Sequence, residues 1–170
     1  MKARFKYLDT AEAAELENIS EILIKINRSA AVVKGGRRFS FSALCVAGNR
    51  GGVVGHGYGK ARQVPNAIEK SAKDARKHLI RVPLTKEGTI PHEVTGFYCG
   101  SEIRLLPCAP GTGLIAGASV RAVCELAGIK NILTKAYGST NPVNLVKAAF
   151  QALEQLRTPE QVAALRGVEL

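Results

Sequence analysis

No stretch of this sequence approaches the roughly 20 consecutive apolar residues that a membrane-spanning helix needs, and none of it is repetitive or of low complexity. The opening Met1-Lys2-Ala3-Arg4-Phe5-Lys6 is not followed by an apolar signal core, so the chain is expected in the cytoplasm and away from membranes. Cys45, Cys99, Cys108 and Cys124 include no Cys-x-x-Cys pair, and His56, His78 and His92 form no ligand motif. Zinc sites and a disulfide framework therefore gain little support, and the four cysteines are expected to be reduced thiols acting as small core residues. No nucleophile and base, metal-type His-x-x-Glu spacing or pair of catalytic carboxylates stands out, so neither catalysis nor a cofactor is expected.

Acidic residues are scarcest where the basic ones crowd. The 170 residues carry 24 Lys and Arg against 14 Asp and Glu, a net +10 with a pI near 9.7. Such an excess favours a polyanionic partner. From Ile22 to Pro83 there are 13 basic residues and only two acidic ones, Glu69 and Asp74. The first 21 residues are net negative and Leu84 to Leu170 nearly balanced, so polyanion binding belongs to the first half and packing against neighbours to the second. A hydrophobic content of 46% suits one large or two small folded domains.

Polar, Ala-rich residues 1–16 predict a mobile tail or marginal helix. Ile22–Arg28 and Phe39–Val46 read as strands, and Gly35-Gly36 between them permits a tight reversal, so they are expected to pair antiparallel. A third strand runs from Val53 to about Tyr58. Val64, Ile68, Ala72, Ala75 and Leu79 then make one apolar helical stripe, with Lys70, Lys73 and Lys77 on a different face. The proline-containing link Arg81–Pro91 marks an expected boundary, giving a tail (1–16), an RNA-binding domain (17–83) and a C-terminal domain (84–170). In the last of these, Val94–Cys99 and Ser101–Leu106 read as strands, and Ala118–Ala127 as a helix closed by Gly128. Asn131–Ala136 reads as a strand, followed by a helix capped at Asn141-Pro142 and running to Leu156, and a short helix from Pro159 to Leu165 after Thr158. The whole is α+β.

Two glycine-rich stretches invite a nucleotide reading. Pro110–Ala118 leads into a helix, but Glu125 falls inside that helix instead of ending a following strand, and Gly55–Lys60 lacks the Walker spacing. The hairpin is stronger, because Gly35 and Gly36 let backbone approach a ribose-phosphate chain while Lys34, Arg37 and Arg38 neutralise it. Arg37 and Arg38 alternate, so each should reach RNA on its own side of the arm.

Five blocks carry a resemblance: Asn27-Arg28; Val33–Phe41; Gly55–Pro65; Gly111–Gly117; and Ala136-Tyr137-Gly138-Ser139-Thr140-Asn141-Pro142. In this order they resemble the family of protein five of the small ribosomal subunit, in its bacterial form, over about Glu15 to Gly167. The resemblance implies a double-stranded-RNA-binding-like β-meander plus helix, followed by a two-layer α/β domain of the type named after the family. It implies a ribosome-bound structural protein that holds small-subunit ribosomal RNA where head meets body. The RNA contacts would be Arg28, Lys34, Gly35, Gly36, Arg37, Arg38, Lys60, Arg62, Lys70, Lys73 and Lys77, with the hairpin entering beside the spectinomycin site. Gly113 and Arg121 would lie at the contact with protein four, linked to decoding accuracy. Protein eight would be a further neighbour, and such proteins help line the path by which messenger RNA enters. At the expected hairpin tip, Ser29-Ala30-Ala31-Val32, this sequence has no lysine where many relatives do. The rival readings are a free-standing double-stranded-RNA-binding or assembly factor, and a nucleotide-dependent enzyme.

Overall fold

A computed structural model describes residues 7–8 and 18–168. The expected tail over 1–16 lies outside the described residues save for Tyr7 and Leu8, where the Leu8 amide donates to Leu79 O at 2.8 Å and the Tyr7 ring stands 4.7 Å from that of His78. Among the described residues, no helix is long and apolar enough to cross a membrane.

The fold is α+β, with two four-stranded sheets. The first is antiparallel and ordered β1 (Ser20–Val33), β2 (Gly36–Gly48), β3 (Val53–Ala61), β4 (Leu79–Arg81), with helix α1 (Val64–Lys77) between β3 and β4 in the chain. The second comprises β5 (Val94–Tyr98), β6 (Ser101–Pro107), β7 (Leu114–Ile115) and β8 (Ile132–Gly138), in the order β5-β6-β8-β7. Its pairs are antiparallel except β7 with β8. Helix α2 (Ala118–Ala127) joins β7 to β8, and α3 (Pro142–Glu154) and α4 (Pro159–Arg166) close the described chain.

Size, more than polarity, alternates along β2 and β3. Ala43, Cys45 and Ala47 pair with Gly59, Gly57 and Gly55, and these small residues form the face under α1. A Cβ built on Gly57 would overlap Ser71 O and Ala75 N, and one on Gly59 would overlap Ala67 O and Ser71 N. The helix answers with small residues of its own, Ala67, Ser71, Ala72 and Ala75, so two backbones meet almost directly. The intervening large residues, Leu44, Val46 and Val54, point the other way into one core. There they join Val123, Leu126, Val146, Phe150 and Leu153 of α2 and α3, and Ile103, Leu105 and Ile132 of the second sheet. The layers therefore run α1, first sheet, α2 with α3, second sheet.

Several expectations change in detail. Leu79 belongs to β4, not to the helical stripe, because α1 stops at Lys77 and His78 caps it through its amide to Ala75 O. Val64 and Ile68 are only half-buried, since the glycine face of β3 accepts small side chains and leaves bulky ones at the rim. Ser29–Val32 is strand, not hairpin tip; β1 continues to Val33 and the turn is Lys34-Gly35. Of the cysteines, Cys45 and Cys124 are buried as expected, and burial pushes their thiols up, that of Cys124 to about 12. Cys99 is exposed in the β5–β6 turn at φ +51 and Cys108 is half-buried, so those two are not core residues. Helix ends fall where the caps predict: Gly128 is left-handed at φ +87, the Asn141 side chain accepts from Val143 N at 3.3 Å, and Thr158 makes a capping box with Gln161.

Candidate nucleic-acid interface

Beyond the body of the first sheet, β1 and β2 continue alone as a two-stranded arm. Residues 25–40 are all exposed, with continuous pairing from Lys25↔Leu44 to Val33↔Gly36. The arm arises because the apolar alternation of both strands stops where the body ends, while β-branched and small residues keep the backbone extended. It carries Lys25, Arg28, Lys34, Arg37 and Arg38 and no acidic residue. Arg28 lies opposite Phe41, its guanidinium 4.9 Å from the Phe39 ring, a stacked cation that leaves its outer edge free to donate. Arg37 pairs with Val32 and Arg38 with Ala31 across the ladder, so the two guanidiniums leave opposite faces of the arm.

The two tip glycines differ in their reason for being there. Gly36 sits at φ +138, where a side chain is strained. Gly35 has no such φ, and nothing stands within 4 Å of where its Cβ would be, so nothing inside the fold requires glycine at that position.

The remaining expected contacts divide between two sides. Lys70, Lys73 and Lys77 are exposed on α1. Lys73 is already engaged by Glu69 one turn earlier at 2.6 Å, and that hydrogen bond holds the Glu69 carboxyl below its usual range. Both partners are well exposed, so the pair is weak and readily exchanged for phosphate. Lys60 pairs with Ser42 and alternates with Gly59, so its side chain leaves the sheet on the side away from α1, with its ammonium 5.7 Å from the Tyr58 ring. Arg62 is exposed in the short link to α1. By strand register Arg28 and Arg37 lie on the α1 side of the first sheet and Lys25, Arg38 and Lys60 on the other, so one flat duplex could not touch them all. Arg50 and Arg76, outside the expected set, are paired with Glu125 at 3.1 Å and Glu21 at 2.8 Å.

Neither glycine-rich stretch is a phosphate loop. Gly55, Gly57 and Gly59 are spent on packing α1. Gly111 and Gly113 precede β7, whereas a dinucleotide loop follows its strand and opens the helix. Gly113 is half-buried at φ +78, and Arg121 is exposed on α2 with Nε donating to Ala116 O at 3.4 Å. Both therefore belong to the corner where β7 meets α2, well separated in the chain from the basic arm.

An α+β body bearing an acid-free cationic arm is the form of a nucleic-acid-binding class of protein. Comparison with known proteins gives the particular family. Residues 19–83 match the model described as Ribosomal protein S5, N-terminal domain, and residues 96–166 that described as Ribosomal protein S5, C-terminal domain. The small ribosomal subunit protein uS5 of Rhodopirellula baltica is 54% identical over 167 residues, covering 98% of this chain and 94% of that one. Its counterpart in Shewanella sp. strain ANA-3 is 50% identical over 159 residues, covering 94% and 95%. The chain belongs to the ribosomal protein S5 family.

Proposed function

We propose that this chain is a structural constituent of the small ribosomal subunit in the cytoplasm, without catalysis of its own, that holds ribosomal RNA at the junction of head and body. In this reading residues 17–83 form the RNA-binding part. Arg28, Lys34, Gly35, Gly36, Arg37 and Arg38 enter folded RNA as a wedge, and Lys60, Arg62, Lys70, Lys73 and Lys77 neutralise phosphates on the two sides of the sheet. Residues 84–170 dock on neighbours, with Gly113 and Arg121 at protein four, through which decoding accuracy is tuned, and protein eight as a second neighbour along with the path of incoming messenger RNA.

One observation carries the reading: a ribbon of sixteen exposed residues, 25–40, none of which joins the core, holds five cations and no acid. A two-stranded ribbon alone is marginal in water, so its order is useful only against a partner. Its charge and its unencumbered Gly35 support a polyanion that comes close to backbone. Cations on two sides of the sheet suit RNA folded around the arm, recognised by shape.

The test is binding of the purified chain to small-subunit RNA over a range of salt. Arg37→Ala with Arg38→Ala should weaken binding and reduce the slope of log K against log salt by about 1.8, from roughly 0.9 per lost phosphate contact. An unchanged slope would refute the role of the arm. Equal affinity for short generic duplexes would favour a free-standing double-stranded-RNA-binding factor, and a tagged copy that never co-sediments with the small subunit would remove the ribosomal assignment.

A further inference from the structure

Behind the Gly111–Gly113 turn stands one buried amide. Asn131 is 8% exposed, just before β8, and its three side-chain hydrogen bonds all run to backbone. Its Oδ1 accepts from Gly111 N at 3.2 Å and from Gly113 N at 3.1 Å, while its Nδ2 donates to Glu87 O at 3.1 Å. The main chain around it reinforces both ties. Lys130 N and Asn131 N donate to Gly88 O at 2.8 and 3.1 Å, and Ile132 N donates to Gly113 O at 3.1 Å.

Within itself the turn is held by Thr112, whose N and Oγ1 donate to Ala109 O at 3.3 and 2.9 Å, and neither of these bonds engages the amide of Gly111 or Gly113. Gly111 and Gly113 lie at φ +93 and +78, and nothing stands within 4 Å of where their Cβ atoms would be. Residues 109–112 are exposed. Glycines in such surroundings have many alternative conformations, so the observed one must be selected by hydrogen bonds. Among short side chains at neutral pH, only a carboxamide places a two-lone-pair acceptor and an N–H donor on separate atoms, so that two turn amides and the Glu87 carbonyl can be served at once. Aspartate keeps the acceptors but has nothing to give Glu87 O, and alanine satisfies none of the three groups.

We propose that Asn131 is a positioning residue that fixes the Gly111–Gly113 turn and ties it to the segment joining the two sheets, so that the presentation of Gly113 to a neighbouring protein is set from inside the fold. The second half of this statement rests on Gly113 being part of the protein-four contact, while the clamp is a property of the chain alone.

Two readouts on the full chain separate those halves. In the purified protein, Asn131→Ala should speed amide exchange at Gly111 and Gly113 at least about tenfold relative to the β6–β8 ladder. Asn131→Asp should hold those two amides near parent rates while exchange at Lys130 and at position 131 rises, because only the Glu87 side is released. In ribosomes carrying the variants, Asn131→Ala should shift misreading of a near-cognate codon in the same direction as Gly113→Arg, and Asn131→Asp by less. Unchanged exchange at Gly111 and Gly113 in Asn131→Ala overturns the clamp. Should that variant not fold, Asn131→Asp decides alone, and loss of protection at all four amides, or at none, overturns it. Faster exchange in Asn131→Ala with misreading altered only by Gly113→Arg overturns the claim that Asn131 sets the presentation. Faster exchange with misreading altered by neither substitution upholds the clamp and overturns the protein-four reading.

Discussion

Gly57→Ala is the substitution on which the packing of the first sheet can be judged. The added Cβ would overlap Ser71 O and Ala75 N and come within 2.9 Å of Ala75 Cα, whereas ordinary van der Waals contact begins near 3.4 Å. Those atoms are helix backbone, which cannot rotate aside as a flexible side chain would, so α1 must retreat by about 1 Å along its middle. Overpacking of this kind costs about 1–3 kcal/mol by itself. Retreat also loosens the contacts of Ala67, Ser71, Ala72 and Ala75, each of which is buried against the sheet. A total near 3 kcal/mol is expected, which at a urea slope of about 2 kcal/mol/M lowers the unfolding midpoint by about 1.5 M. Gly35→Ala is the matching control, because its Cβ would meet nothing within 4 Å and its midpoint should stay at the parent value. A Gly57→Ala midpoint within about 0.3 M of the parent would show that α1 tolerates a methyl beneath it, and the direct backbone contact would not be what seats the helix.

His56 is 7% exposed with its ring 4.4 Å from that of Phe150, and burial first, with Lys147 and His78 nearby, lowers its pKa to about 4 against the opposing pull of Asp74. The neutral form is thus favoured by the folded chain, and stability present above pH 6.5 is lost as pH falls toward 4. Urea unfolding at pH 5 should show about 2 kcal/mol less stability than at pH 8, and His56→Phe should abolish most of that difference. Retention of the full difference in the variant would assign it to other groups. Arg50→Ala, which removes only an exposed pair, should change stability by less than about 0.5 kcal/mol. Gly128→Ala should cost about 3 kcal/mol in the same assay, because position 128 is left-handed and a Cβ there would strike Arg50 O; equal effects of the two would contradict the backbone account of this junction.

The charge split was sufficient to place every expected RNA contact on exposed surface, and caps at Gly128, Asn141 and Thr158 marked helix ends because each acts through local chemistry. Other features depend on long-range pairing and were hidden. Leu79 follows Ala75 at helical spacing, so only its pairing with Gly55 reveals a strand. The two-residue β7 exists by virtue of parallel bonding to β8. The arm was read too short, since apolar alternation reports a buried face and no residue of 25–40 is buried in the core. That Lys60 faces away from α1 follows from strand register, not from its place among basic neighbours. A signal for the doubly covered first sheet was present in the alternation Gly55-His56-Gly57-Tyr58-Gly59, where small residues every second position announce a close approach.

The shared core has a consequence for biosynthesis. Val46, Val54 and His56 meet partners on α3 that are made about 90 residues later, which at about 5–20 residues per second is a wait of several seconds on the translating ribosome. Throughout that interval a strongly cationic nascent segment displays an unfinished apolar face, so its safest escort is one that shields both properties at once until Phe150 emerges.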